Sequence, residues 1–166
     1  MTGCEQVRTL LAQKLEEADI PAATAWVRGK MPWLKGAAAV LGVQETRSGA
    51  AALWNYLGEQ WDTARACPVE RYGCRVQLTV FVDLYAPKGA AEEIENACEV
   101  LEGLLLTPLA EGLRVESVQR GEIGWDAPGG YLKCRCSAVC TALFTAVRTE
   151  EGAELTDFTL KGMVQG

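Results

Sequence analysis

Over residues 74–85 the chain alternates strictly. Cys74, Val76, Leu78, Val80, Val82 and Leu84 are apolar, and Arg75, Gln77, Thr79, Phe81, Asp83 and Tyr85 stand between them. Successive side chains of a strand point to opposite faces, so a period of two predicts a long strand that buries one side. The pattern returns over residues 131–147: Leu132, Cys134, Cys136, Ala138, Cys140, Ala142, Phe144 and Ala146 alternate with Lys133, Arg135, Ser137, Thr141 and Thr145. Val139 and Leu143 blur the polar side of this second strand.

Two segments carry a helical period instead. Thr2 and Glu5 have capping-box spacing, and Val7, Leu10, Leu11 and Leu15 fall on one face, which predicts a helix over about residues 3–18, closed by Ile20-Pro21. After the breaker Ala86-Pro87-Lys88-Gly89, the residues Ala90, Ile94, Ala97, Cys98, Leu101, Leu104 and Leu105 form one stripe. They predict a second helix over about residues 89–106, with Glu92, Glu95, Glu99 and Glu102 opposite and Thr107-Pro108 as its stop. Shorter strands are expected at residues 37–44, 113–119 and 155–160, and the alternation over residues 22–27 suits a short strand before Met31-Pro32. Asp126-Ala127-Pro128-Gly129-Gly130 is a strong turn signal. An extended insertion over about residues 48–67, with Trp54, Tyr56 and Trp61 around Leu57-Gly58, leaves two alternatives open: a hairpin-like excursion, or a loop with aromatic anchors. The order of elements predicts an α+β fold, a single domain over residues 1–166 with one antiparallel-rich mixed sheet and two helices packed on one face.

Composition narrows the function classes. A chain of 166 residues, 49% hydrophobic and 23% charged, is one globular domain rather than a disordered or fibrous one. The net charge of -6 disfavours a phosphate backbone as partner, so no specific nucleic-acid binding is expected. The chain contains no histidine, which removes Ser-His and Cys-His nucleophile pairs, HExxH zinc sites and any imidazole base. Phosphate-loop, dinucleotide, nucleophile-elbow and EF-hand spacings are also missing, and the expectation is a protein that is not an enzyme and has no cofactor. Glu5 and Arg8 interrupt any signal-peptide core, and the longest strongly apolar stretch, residues 136–147, is too short for the roughly 20 residues of a spanning helix. A soluble protein with no membrane partner and with reduced thiols is the expectation.

Candidate chemistry lies in three groups of residues. Cys134, Cys136 and Cys140 suggest a thiolate site that Cys67 or Cys74 would complete. Their parity argues otherwise, because all three share the apolar face of their strand, where free cysteine behaves as a small core hydrophobe, and no metal is expected. The glutamate row Glu92, Glu95, Glu99 and Glu102 reads as a solvated helix face or as an interface that a basic partner surface would satisfy. Trp54, Tyr56 and Trp61 either cover the open end of the core or form an interaction surface, for a protein partner or for a small molecule or carbohydrate.

The run Gly73-Cys74-Arg75-Val76-Gln77-Leu78-Thr79-Val80-Phe81-Val82-Asp83-Leu84-Tyr85-Ala86-Pro87 leads into an amphipathic helix. It is followed by Gly121-Glu122-Ile123-Gly124-Trp125-Asp126, then Gly129-Gly130-Tyr131 opening the next long strand. This order, over roughly residues 70–147, resembles the tail-terminator and minor-tail structural proteins of long-tailed bacteriophages and prophages. The resemblance implies a virion assembly protein, made in the host bacterial cytoplasm and placed in the tail or neck at head–tail joining. It further implies a homo-oligomeric ring, often a hexamer, that contacts tail-tube and head-connector proteins. No catalytic residue comes with it. The insertion at residues 48–67 and the final strand lengthen this chain beyond a minimal member. The leading expectation is thus self-association, with a carbohydrate- or small-molecule-binding module and a thiolate metal protein as alternatives.

Overall fold

The computed structural model describes residues 3–24, 34–148 and 159–160. Helix α1 (Gly3–Glu17) precedes strands β1 (Ala22–Ala23), β2 (Ala38–Ala50), β3 (Tyr56–Asp62) and β4 (Cys67–Ala86); helix α2 (Ala91–Leu105) and strands β5 (Leu113–Asp126), β6 (Tyr131–Arg148) and β7 (Thr159–Leu160) follow. The sheet runs β1-β2-β4-β6-β5, with β3 also on β4 and β7 on β6. Only the β1–β2 pair is parallel among the described strands, so the sheet is mixed and antiparallel-rich, in an α+β fold.

The two strongly alternating segments are the two central strands. They pair from Glu70↔Arg148 to Ala86↔Leu132 without a register shift. Their apolar sides form one surface, on which Val76, Leu78, Val80, Val82, Leu84, Cys134, Cys136, Ala138, Cys140, Ala142 and Phe144 are buried under the helices. α1 contributes Val7, Leu11, Ala12 and Leu15, and α2 contributes Ile94, Ala97, Cys98, Leu101 and Leu105. Leu10, Leu104 and Ala90 pack at the margin of that core rather than within it. The Thr2 cap lies outside the described residues. α1 ends in a left-handed residue, Asp19 (φ 62), which lets the Ile20 amide return to the Leu15 carbonyl at 2.9 Å and cap the helix.

Length dictates the outline. A strand of 20 residues spans about 65 Å at roughly 3.3 Å per residue. A helix of 15 residues spans only about 22 Å. Neither helix can cover β4 from end to end, and one end of the sheet extends past both.

That geometry accounts for the main differences from the sequence reading. β2 runs on to Ala50, past the expected end at residue 44, and its far half, residues 44–50, is exposed. A strand with no covered face has no reason to alternate. β4 starts at Cys67 rather than residue 74, because residues 67–72 pair with β3. The insertion at residues 48–67 is therefore a hairpin, not a loop. β5 continues to Asp126 rather than stopping at residue 119, since its ladder with β6 resumes at Ile123↔Cys134 after a bulge at Gly121-Glu122. Of the segment expected as a strand over residues 22–27, Ala22–Ala23 pair with β2, and residues 25–33 lie outside the described residues. Of the final strand, Thr159–Leu160 pair with β6, and residues 155–158 lie outside them.

Candidate interaction surface and thiol cluster

Beyond the helices the sheet continues as an arm built from β3, the start of β4 and the end of β6, and the exposed far half of β2 leads into it along the edge of the body. β2 leaves β4 at Ala50↔Cys74, and the chain rejoins the same edge as β3 at Tyr56↔Tyr72. Between them Trp54 (φ 56) and Asn55 (φ 61) are both left-handed. Non-glycine residues enter that region at a cost of roughly 1–2 kcal/mol each. The side-chain oxygen of Asn55 is also buried without a hydrogen-bond partner. This costly elbow presents Leu53 and Trp54, which are 82% and 85% exposed. The tip of the arm is closed by Asp62, whose Oδ1 accepts hydrogen bonds from the amides of Ala64 (2.9 Å) and Arg65 (3.1 Å).

Register decides how the aromatic residues are shared out. Tyr56 lies opposite Tyr72, their rings edge-on at 5.6 Å, and Trp61 lies opposite Pro68. Residues 68 and 72 have the same parity, so Tyr56 and Trp61 project from one face of the arm, with Trp54 at the elbow. Trp61 and Val147 are more than half exposed. None of the three rings covers the open end of the core.

The glutamate row takes its expected place. Glu92, Glu95 and Glu99 are exposed and Glu102 is half-buried on the outer side of α2, and none forms a salt bridge among the described residues. Glu92 and Glu93 sit in the first turn, where the helix dipole favours negative charge. Leu106, 80% exposed, falls in the same sector at the helix end.

On the side of the sheet away from the helices, the structure adds a group that the alternation did not single out. Asp83, opposite Arg135 in the ladder, is only 4% exposed. Arg135 grips it with Nε at 2.6 Å and Nη2 at 2.7 Å, and Lys133 Nζ adds a contact at 3.0 Å. The Arg135 guanidinium lies 4.5 Å over Phe81, and the Lys133 ammonium 5.4 Å over Tyr85. Phe81 in turn lies against Gly42, where any Cβ would meet the ring at 2.1 Å. Burial works to raise the Asp83 carboxyl pKa, but the hydrogen bonds and charges of Arg135 and Lys133 outweigh it, and the net shift is downward. The signal in the sequence was a carboxylate and two cations at facing positions, and only the register identifies them as neighbours.

The cysteines divide differently from the sequence grouping. Cys134, Cys136 and Cys140 are buried as their parity predicts, and Cys98 faces inward from α2. Cys67 and Cys74 are partly exposed and stand outside the cluster. The three sulfurs that meet are those of Cys98, Cys134 and Cys136: Cys98 Sγ lies 3.7 Å from Cys134 Sγ and 3.8 Å from Cys136 Sγ. Burial, reinforced by the neighbouring Cys134, pushes the Cys98 thiol up to about 11, and burial likewise raises Cys136. Cys140 is pushed up to about 11 by its own burial and by the charge of Glu116.

Among the described residues, no helix is long and apolar enough to cross a membrane. No family model matches the chain, and no curated protein matches its sequence.

Proposed function

We propose that this protein is a non-enzymatic assembly subunit of the tail-terminator or tail-neck type that its sequence resembles. It builds a homo-oligomeric ring by laying the arm of one copy on the outer face of α2 of the next. The observation that carries this reading is the exposure of Leu53, Trp54 and Trp61 on an arm that reaches past both helices. Large apolar side chains presented on an elbow and on the strand that follows it mark a docking element, and tryptophan is a favoured anchor for one.

Charge favours α2 as the receiving surface. α2 carries Glu92, Glu93, Glu95, Glu99 and Glu102 and no basic residue. Residues 44–75 instead balance Arg47, Arg65, Arg71 and Arg75 against Glu45, Glu59, Asp62 and Glu70. In a chain of net charge -6 the arm is thus the neutral part, able to approach an acidic helix with arginines at hand. A contact between two unlike surfaces is heterologous, and it closes into a ring when the rotation between subunits permits. Tail-tube and head-connector proteins are the partners such a ring would join.

Size-exclusion chromatography with light scattering tests the proposal. The wild-type chain is expected to run as a closed oligomer. Trp54→Ala/Trp61→Ala on one surface and Glu95→Arg/Glu99→Arg on the other should each convert it to folded monomer. A strict monomer at high concentration, both alone and mixed with tail-tube protein, would overturn the reading.

A further inference from the structure

The thiol cluster lies where three local features coincide. Cys98 comes from α2, and Cys134 and Cys136 from the helix-facing side of β6. All three sulfurs lie within 4.8 Å of one another and are at most 1% exposed as residues. Sulfurs that share a tetrahedral cation at about 2.3 Å stand about 3.8 Å apart, which the two Cys98 distances of 3.7 and 3.8 Å already match. Directly across the ladder, β5 breaks its register: Arg120 pairs with Cys136 and Ile123 with Cys134, so Gly121 and Glu122 bulge opposite a single residue. The bulge brings the Gly121 carbonyl onto the cluster, where it accepts a hydrogen bond from the Cys134 thiol at 3.3 Å.

Register also places the Arg120 side chain on the same face as Cys136, at the exposed rim of the cluster, where its positive charge faces Cys98 and Cys134. Three dry sulfurs with a carbonyl oxygen against them and an exposed guanidinium at their rim are more than a core of small hydrophobes needs. Cys140, two residues along the same face, has no such surroundings: its sulfur is 4.0 Å from the Ala138 carbonyl of its own strand.

We propose that Cys98, Cys134 and Cys136 form a structural site for one thiophilic divalent cation of the zinc class, with the Gly121 carbonyl oxygen as the fourth donor and Arg120 as the compensating charge. Each sulfur releases its proton to solvent as it binds, so three thiolates and a divalent cation sum to one negative charge. A single guanidinium offsets that charge, whereas a monovalent cation would leave two. Thiolate ligands select zinc and its soft congeners over magnesium or calcium. The bound cation clips α2 to β6. It does not depend on the arm or on the assembly reading above.

The test is titration of the reduced full-length chain with Zn2+ and Cd2+, followed by native mass spectrometry, sulfur-to-metal charge-transfer absorption and thermal unfolding. One cation per chain, a charge-transfer band with Cd2+ and a higher Tm with either metal are expected. Cys98→Ala should lose the band and at least tenfold in affinity. Cys140→Ala, equally a loss of a buried thiol, should keep both. Arg120→Glu, a change at the surface that leaves the core intact, should weaken Cd2+ binding several-fold. Failure of the reduced wild-type chain to bind either divalent metal would overturn the site. So would binding of Cu+ alone, or equal losses in Cys98→Ala and Cys140→Ala.

Discussion

One strand, β4, passes through two environments, and the contrast shows what makes the protein a folded body with a reaching arm. Over residues 76–86 its even side chains lie under two helices and are nearly dry, and its odd side holds the Asp83–Arg135–Lys133 group. Over residues 67–72 the ladder continues with β3 and β6, but no described helix covers it. Backbone pairing is equally regular in both parts. The difference is the apolar area removed from water, about 25 cal/mol for each Å². Stability should therefore be concentrated in the body, while the arm leaves Trp61 and Val147 more than half exposed.

The sharpest break of that contrast is Leu78→Ala. Leu78 sits at the centre of the body, 1% exposed, and its truncation should cost about 3 kcal/mol in urea unfolding by lost burial and a residual cavity. An equal loss on truncating Trp61, 59% exposed, would show that the arm is core and not a free surface.

Asp83→Asn comes next, with an expected loss of about 2 kcal/mol at neutral pH, since it removes charge-assisted hydrogen bonds at a buried position. The sign with pH follows from the depressed folded pKa of Asp83. Its contribution is fully present above the unfolded carboxylate value of about 4 and disappears as pH falls from there through the lower folded value. Stability measured from pH 7 down to pH 3 should thus fall less steeply in Asp83→Asn than in wild type. Parallel acid limbs would show that the ion group contributes nothing to the body.

The smallest expected effect on stability is at the elbow. Trp54→Gly removes an exposed ring and relieves a left-handed backbone at φ 56, so its unfolding free energy should stay within about 0.5 kcal/mol of wild type. Oligomer content by light scattering should nevertheless drop. A variant that is clearly destabilised would place Trp54 in the structural frame rather than on the docking surface.

How much of this was legible along the chain depended on the range of the interaction concerned. The burial of the even positions from Val76 to Leu84, of those from Cys134 to Phe144, and of Ile94, Ala97, Cys98, Leu101 and Leu105 in α2 could be read because a single covered face imposes a period on its own element. The solvated glutamate row followed from the same rule. The absence of histidine bounded the available chemistry before any fold was known. The arm was not legible, because β3 and the far half of β2 have no covered side to write a period into them. Nor were the partners: Cys98 meets Cys134 and Cys136 across 36 and 38 residues, and Asp83 meets Arg135 across 52. Local periodicity reports which way a side chain faces. Which other side chain it faces is decided by register and by the seating of α2 on the sheet, and those are properties of the assembled core alone.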